Sequence, residues 1–256
     1  IETLKTTPGL RLVLVAGAPS PWGQAAKAMM EYKGLEFNAG LLTPGDTNDE
    51  LVAWTGINSG PVVVYNDEKP LERWTDILFL IERLAPKPAL IPDDPYARME
   101  VFGMSHELCG EMGLGWNRRL LMFGPMIESG NAPEGITRMA GKYQYNTADM
   151  KRAGARIAAT LRMLDQQLER QRRAGSNYFV GDAPSAVDFY WTAFSNLIEV
   201  ISWDRIPVPE DFRPLFHEAD PAVTAAFTPL LCEPRERFST PISSRRWNSD
   251  PRDPTR

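Results

Sequence analysis

The sequence predicts an α+β chain in which a small unit of alternating strands and helices is followed by an all-helical half. Three observations carry this. Short strand-like runs at 10–16, 36–42 and 62–65, the first and third rich in valine, alternate with helix-forming segments. Strand signals stop after residue 71. A proline-rich stretch, Ala85-Pro86-Lys87-Pro88-Ala89-Leu90-Ile91-Pro92-Asp93-Asp94-Pro95, then separates the mixed half from a long run of helical periodicity.

Composition bounds the problem first. The chain has 256 residues, 43% hydrophobic and 24% charged, which is ordinary for a globular protein of one large domain or two small ones. A formal net charge of −5 gives no reason to expect nucleic acid or an acidic membrane as partner. No apolar run reaches the length of a membrane span, and no signal peptide is expected at the start. Cys109 and Cys232 make neither a disulfide framework nor a metal site, and suggest a reducing, cytoplasmic setting. His106 and His217 match no metal spacing, so no metal is expected. Of the 22 prolines, many fall near the C-terminus, where an extended tail is expected.

The elements follow in order. Residues 1–9 read as a polar lead-in. The strand at 10–16 hands over, through Gly17-Ala18-Pro19-Ser20-Pro21-Trp22-Gly23, to a helix of good formers closed by Gly34. Ser20 thus sits where a strand meets a helix start, whose unpaired N–H groups favour an anion. After the strand at 36–42, Asn48 or Asp49 caps a short helix to Trp54. Asn58-Ser59-Gly60-Pro61 leads into the strand at 62–65, and Asn66-Asp67 turns it into a short edge strand at 69–71. The helix at 74–84 is apolar at 74, 77, 78, 80, 81 and 84. The order β-α-β-α-β-β-α, with a proline entering the third strand, is that of a thioredoxin-like domain.

Beyond the proline-rich boundary, 95–123 reads as helical, with an unusual glycine-rich helix over 101–119, and 124–133 as loop. Within that helix His106, Gly110, Gly113 and Asn117 recur at spacings of four, three and four, so they share one face. A long helix spans 146–173, with Ile157, Leu161, Leu164 and Leu168 on one stripe. Ser185-Ala186-Val187-Asp188 is a capping box with aspartate at the third position, opening a helix to about 201. A last short helix covers 221–231. The expected division is a thioredoxin-like domain over 1–85, a helical domain over 95–232 and a proline-rich tail over 233–256.

Four pieces together resemble the cytosolic glutathione transferase family: Ser20-Pro21-Trp22-Gly23-Gln24 with its helix, Pro61-Val62-Val63-Val64, the linker at 85–95, and Gly181-Asp182-Ala183-Pro184-Ser185-Ala186-Val187-Asp188. The resemblance covers about residues 10–200. It implies a thioredoxin-like domain that binds glutathione, an all-helical domain that binds the second substrate, and a homodimer. It implies that Pro61 follows a cis bond and frees the backbone of Gly60 to pair with the peptide-like ligand. Ser20 is then the catalytic hydroxyl beside the glutathione sulfur. The alternative for Ser20 is a turn former. Trp22 lines the site or covers the core.

Lowering a thiol pKa by about two units requires ~2.7 kcal/mol of preference for the thiolate, the size of one charge-assisted hydrogen bond plus a helix N-terminus. That thiolate attacks a small electrophile. Conjugation, dehalogenation and isomerisation all fit. The family's acidic and serine residues that grip the γ-glutamyl end correspond to Arg73 and Trp74, and Gly60 stands where a β-branched residue is more usual. The second-substrate pocket maps to His106, Gly110, Gly113, Trp116 and Asn117, unless the glycines serve close helix packing. A relative that binds a hydrophobic ligand or a protein without catalysis is the other reading, and Arg73 and Trp74 motivate it.

Overall fold

A computed structural model describes residues 1–17, 20–206, 208–217 and 220–238. Three strands form one sheet in the order β2-β1-β3. Central β1 (Leu10–Val15) pairs parallel with β2 (Asn38–Leu42) and antiparallel with β3 (Val62–Tyr65), in registers that set Val13 against Gly40 and against Val62. Burial explains the composition: Leu10, Leu12, Val13 and Leu14 are all inside, so β1 reads as a continuous apolar run rather than an alternating one. The expected fourth strand at 69–71 is reduced to a single bridge between Val63 and Leu71. Pro70 brings no N–H to a ladder, and the chain turns directly into the next helix.

Helices flank this sheet. The lead-in contains α1 (Glu2–Thr6), missed because its single buried residue, Leu4, shows no period. Then come α2 (Pro21–Tyr32), α3 (Asp49–Thr55) and α4 (Trp74–Leu84). The α2 face made of Gly23, Ala25, Ala26, Met29 and Met30 is buried. Small residues at 23, 25 and 26 let α2 lie close to the sheet, and a β-carbon at Gly23 would sit 2.8 Å from Leu14. The proline-rich crossing is tied down by the buried Lys33 ammonium, which donates to Glu82 and to the Pro88 carbonyl at 2.7 Å, while Leu90 N–H donates to Glu82 at 3.1 Å.

From Pro95 on, the regular structure of the described residues is helical. The elements are α5 (Pro95–Cys109), α6 (Leu114–Glu128), α7 (Glu134–Lys142), α8 (Thr147–Arg173), α9 (Ala186–Phe194), α10 (Pro221–Ala226) and α11 (Pro229–Phe238), with 3-10 turns at Ser195–Leu197 and Glu210–Phe216. The expectation of one helix over 101–119 is corrected here: α5 stops at Cys109 and α6 starts at Leu114. Between them Met112 takes a left-handed φ of 59°, and a β-carbon at Gly113 would come within 2.7 Å of the His106 and Glu107 carbonyls. The glycines therefore make a corner, and the shared helical face of residues 106–117 does not exist. The loop expected at 124–133 is also shorter, since α6 runs on through Gly124 and Pro125 to Glu128.

Helix α8 follows the sequence closely, with Asn146 accepting from Asp149 N–H at 2.8 Å and Ile157, Leu161, Leu164 and Leu168 buried. One contiguous core joins the two halves: Leu12, Met29 and Ile77 belong to the same cluster as Val101, Leu161, Trp191 and Leu231. The tail expected from 233 begins as helix, because α11 carries the chain to Phe238; residues 239–256 lie outside the described residues.

Candidate active site

The site is built at the N-terminus of α2. Ser20 is its N-cap, extended at φ −75° and ψ 128°, and only 9% exposed. Its hydroxyl makes no capping hydrogen bond, unlike a serine used only to start a helix. Pro21 follows at the first helical position, where its fixed φ is already helical and its missing N–H is not needed. The first helical bond runs from Gln24 N–H to the Ser20 carbonyl at 2.9 Å, so the N–H groups of Trp22 and Gly23 precede the helical ladder. No acidic residue lies in this first turn to offset the positive helix end.

The loop before β3 closes over that end. The Gly60–Pro61 peptide is cis, as the sequence led one to expect. A β-carbon at Gly23 would lie 4.0 Å from the Pro61 ring, which places the proline beside the first turn of α2. Gly60 lies outside the β3 ladder, and a β-carbon there would meet Val15 at 2.9 Å and Leu42 at 3.1 Å. That crowding is a physical reason for glycine at this position.

The arrangement is a hydroxyl, an uncompensated helix N-terminus and a bent backbone edge, all at the C-terminal end of β1. The fold around it is that of the glutathione transferases. A glutathione S-transferase from Methylobacterium radiotolerans, in complex with glutathione sulfonate, superposes with a TM-score of 0.55 at 18% identity, over 85% of this chain and 94% of that one. The glutathione transferase Omega 3C from Trametes versicolor matches with a TM-score of 0.57 at 18% identity, over 97% and 93%. The β-etherase LigF from Sphingobium sp. strain SYK-6 matches at 0.55 and 17%, over 86% and 98%. No protein-family model and no curated protein matches the sequence.

Within this glutathione transferase fold the residues singled out from sequence are placed as follows. Trp22, half-buried, donates its indole N–H to the Cys109 carbonyl at 2.8 Å and packs edge-on to Phe194 at 4.8 Å. Together with Phe194, which comes nearer, it crowds the position of a β-carbon at Gly115. It therefore ties α2 to α5, α6 and α9. Arg73 is exposed as the N-cap of α4, without a capping bond from its side chain. Trp74 turns into the junction of the two halves, against Tyr190 (5.6 Å, edge-on) and Phe102 (6.2 Å).

Asn117 is buried and its amide donates to the carbonyls of Met112 and of Gly113, at 2.9 Å for the latter, so it closes the corner between α5 and α6. Gly110 and Gly113 belong to that corner, and the His106 ring covers Gly110. His106 itself is exposed and lines a groove between α5 and α8 with Glu107, Arg156 and Met163, a groove that includes no residue of α2 or of the cis-proline loop. Trp116 lies elsewhere, edge-on to Tyr143 at 5.1 Å, and Tyr143 is 6.2 Å from Trp22. Burial pushes the Cys109 thiol well above its usual pKa, keeping it protonated, and it donates to the Ser105 carbonyl at 2.8 Å.

Sequence reasoning missed the contribution of α7. Arg138 donates to the Gly45 carbonyl at 2.7 Å, and Gly135 backs directly onto Gly45, so α7 leans on the loop after β2. At its end Lys142 donates to Ser59 Oγ, one residue before Gly60. The Lys142 pKa is lowered, chiefly by desolvation and secondarily by Arg119, with Glu72 opposing. The lysine is nonetheless exposed at the surface. The only available signal was the short amphipathic run 134–142 ending in Lys142-Tyr143.

Proposed function

We propose that this chain is a glutathione transferase-like enzyme that holds the glutathione sulfur as its thiolate beside Ser20 and directs it at a small electrophile. The observation that carries the reading is the uncapped Ser20 hydroxyl at an α2 N-terminus without acidic residues, next to the cis Pro61 edge. Glutathione brings the nucleophilic sulfur. The protein brings the hydroxyl, the helix-end N–H groups of Trp22 and Gly23, and the backbone of Gly60 as a partner for the cysteinyl part. Glu72, two residues before α4, stands in electrostatic reach of Lys142. The active species is proposed to be a homodimer in which the thioredoxin-like half of one subunit meets the helical half of the other.

The test is thiolate absorbance against pH with glutathione bound. Ser20→Ala is expected to raise the bound thiol's pKa by about one to two units, with affinity by calorimetry little changed and turnover at neutral pH down about ten- to a hundredfold. Superimposable titration curves would remove Ser20 from the sulfur. A second reading, a non-catalytic module for an apolar ligand or a protein, is favoured by Trp74, which packs into the core junction where a glutathione-gripping side chain is usual. Calorimetry separates the two: micromolar binding of glutathione supports the enzyme, and millimolar or absent binding supports the module.

A further inference from the structure

Next to the α2 start, three half-buried rings form one wall: Trp22, Trp116 and Tyr143, with Tyr143 contacting both tryptophans. Trp116 and Arg119 are three apart on α6 and share its face. Two cations border this wall. Lys142 stands 5.9 Å over the Tyr143 ring and reaches Ser59 of the cis-proline loop. Arg119, in electrostatic reach of Lys142, donates to the Met122 thioether at 3.3 Å, a weak acceptor for a guanidinium. Among the described residues, Glu72 is the acid that acts on Lys142. Two cations beside one acid leave a net positive charge at this wall, which favours an incoming anion.

We infer that Lys142 and Arg119 form a carboxylate-receiving pair, and that the second substrate is a flat aromatic electrophile bearing an anionic group. The inference rests on the transferase reading above and names its substrate class. The ring lies against Trp22, Trp116 and Tyr143, the anion meets Lys142 and Arg119, and the electrophilic carbon faces the start of α2. With a benzylic chloride as probe, the sulfur–carbon bond forms and the carbon–chlorine bond breaks. Chloride leaves with the electron pair, and the thiol proton passes to the buffer.

The experiment compares kcat/KM for 4-(chloromethyl)benzoate with that for the uncharged 4-methylbenzyl chloride. The ratio is expected to favour the carboxylate at low salt and to fall about tenfold in ~1 M salt, where the screening length is ~3 Å. Lys142→Met and Arg119→Met are each expected to lower it about tenfold. Lys142→Arg should preserve it, as should Lys151→Gln, an exposed position on α8. A ratio unmoved by salt or by either methionine variant overturns the anion pair while leaving the transferase reading intact. No turnover of either chloride by the wild type overturns the transferase reading instead. The pair is then judged on quenching of tryptophan fluorescence by 4-methylbenzoate: a Kd raised at least about fivefold in Lys142→Met supports it, and an equal Kd overturns it.

Discussion

Gly60 and Trp22 show how single side chains set the site. At Gly60 a β-carbon would press on Val15 and Leu42 at 2.9 and 3.1 Å. Gly60→Val is therefore expected to destabilise the protein by about 1–3 kcal/mol through overpacking, read as a lower urea midpoint at constant slope. A midpoint equal to wild type would mean that the loop has room. Trp22 satisfies the Cys109 carbonyl, one of the acceptors that a helix C-terminus leaves open. Trp22→Phe removes the N–H together with part of the indole, so a loss of about 1–3 kcal/mol is expected; a stability unchanged by urea titration would contradict a bolting role. Ser20 and Pro61 were legible in the sequence because their signals are local: a strand, a Ser-Pro turn, a helix, and a proline entering a strand. Lys142 and Arg119 were not. They are 23 positions apart in sequence, and only the corner at Gly113 and the placement of α7 bring them to one wall.

Helix boundaries were legible where side-chain chemistry writes them and obscure where backbone sterics do. The start of α9 is the clear case. Asp188 is fully buried and accepts from Ser185 N–H at 2.8 Å, Ser185 Oγ at 2.9 Å and Phe179 N–H at 3.2 Å. Desolvation outweighs these bonds and raises its pKa from 3.8 to about 6. A carboxyl with a raised folded pKa binds its proton more tightly in the native state. Its contribution is complete below about pH 4 and is lost as pH rises through about 6, a change on the order of 3 kcal/mol. Asp188→Asn cannot titrate, so the stability advantage of wild type over this variant should shrink by about that amount between pH 4 and pH 7. Parallel stability curves across that window would show that position 188 does not titrate there. By contrast, the break between α5 and α6 is made by Met112 at positive φ and by the closeness of Gly113 to two carbonyls. A helical spacing of four, three and four looks the same in a sequence whether or not a corner interrupts it.

At the scale of the whole molecule, an exposed apolar patch lies across the junction of the two halves. Tyr96 is 78% exposed, Met99 64% and Phe79 45%. Phe79 on α4 stacks on Phe102 on α5 at 5.6 Å, and Arg98 spans both rings at 5.7 and 5.1 Å. The patch thus joins the thioredoxin-like half to the helical half, as a two-fold interface between those halves requires: each copy presents both surfaces, and the same contact is made twice. Large apolar side chains clustered this way on the surface mark interaction sites, whereas scattered ones do not. Met99→Lys places a charge at the patch in both subunits, so its cost is counted twice across the axis, while on an exposed helix position it changes little within the subunit. Wild type is expected to sediment as a dimer at micromolar concentration and Met99→Lys as a folded monomer, with the far-ultraviolet circular dichroism of the two alike. A wild-type monomer at that concentration would refute the homodimer, and a Met99→Lys variant that still dimerises would move the interface to another face of the helical half.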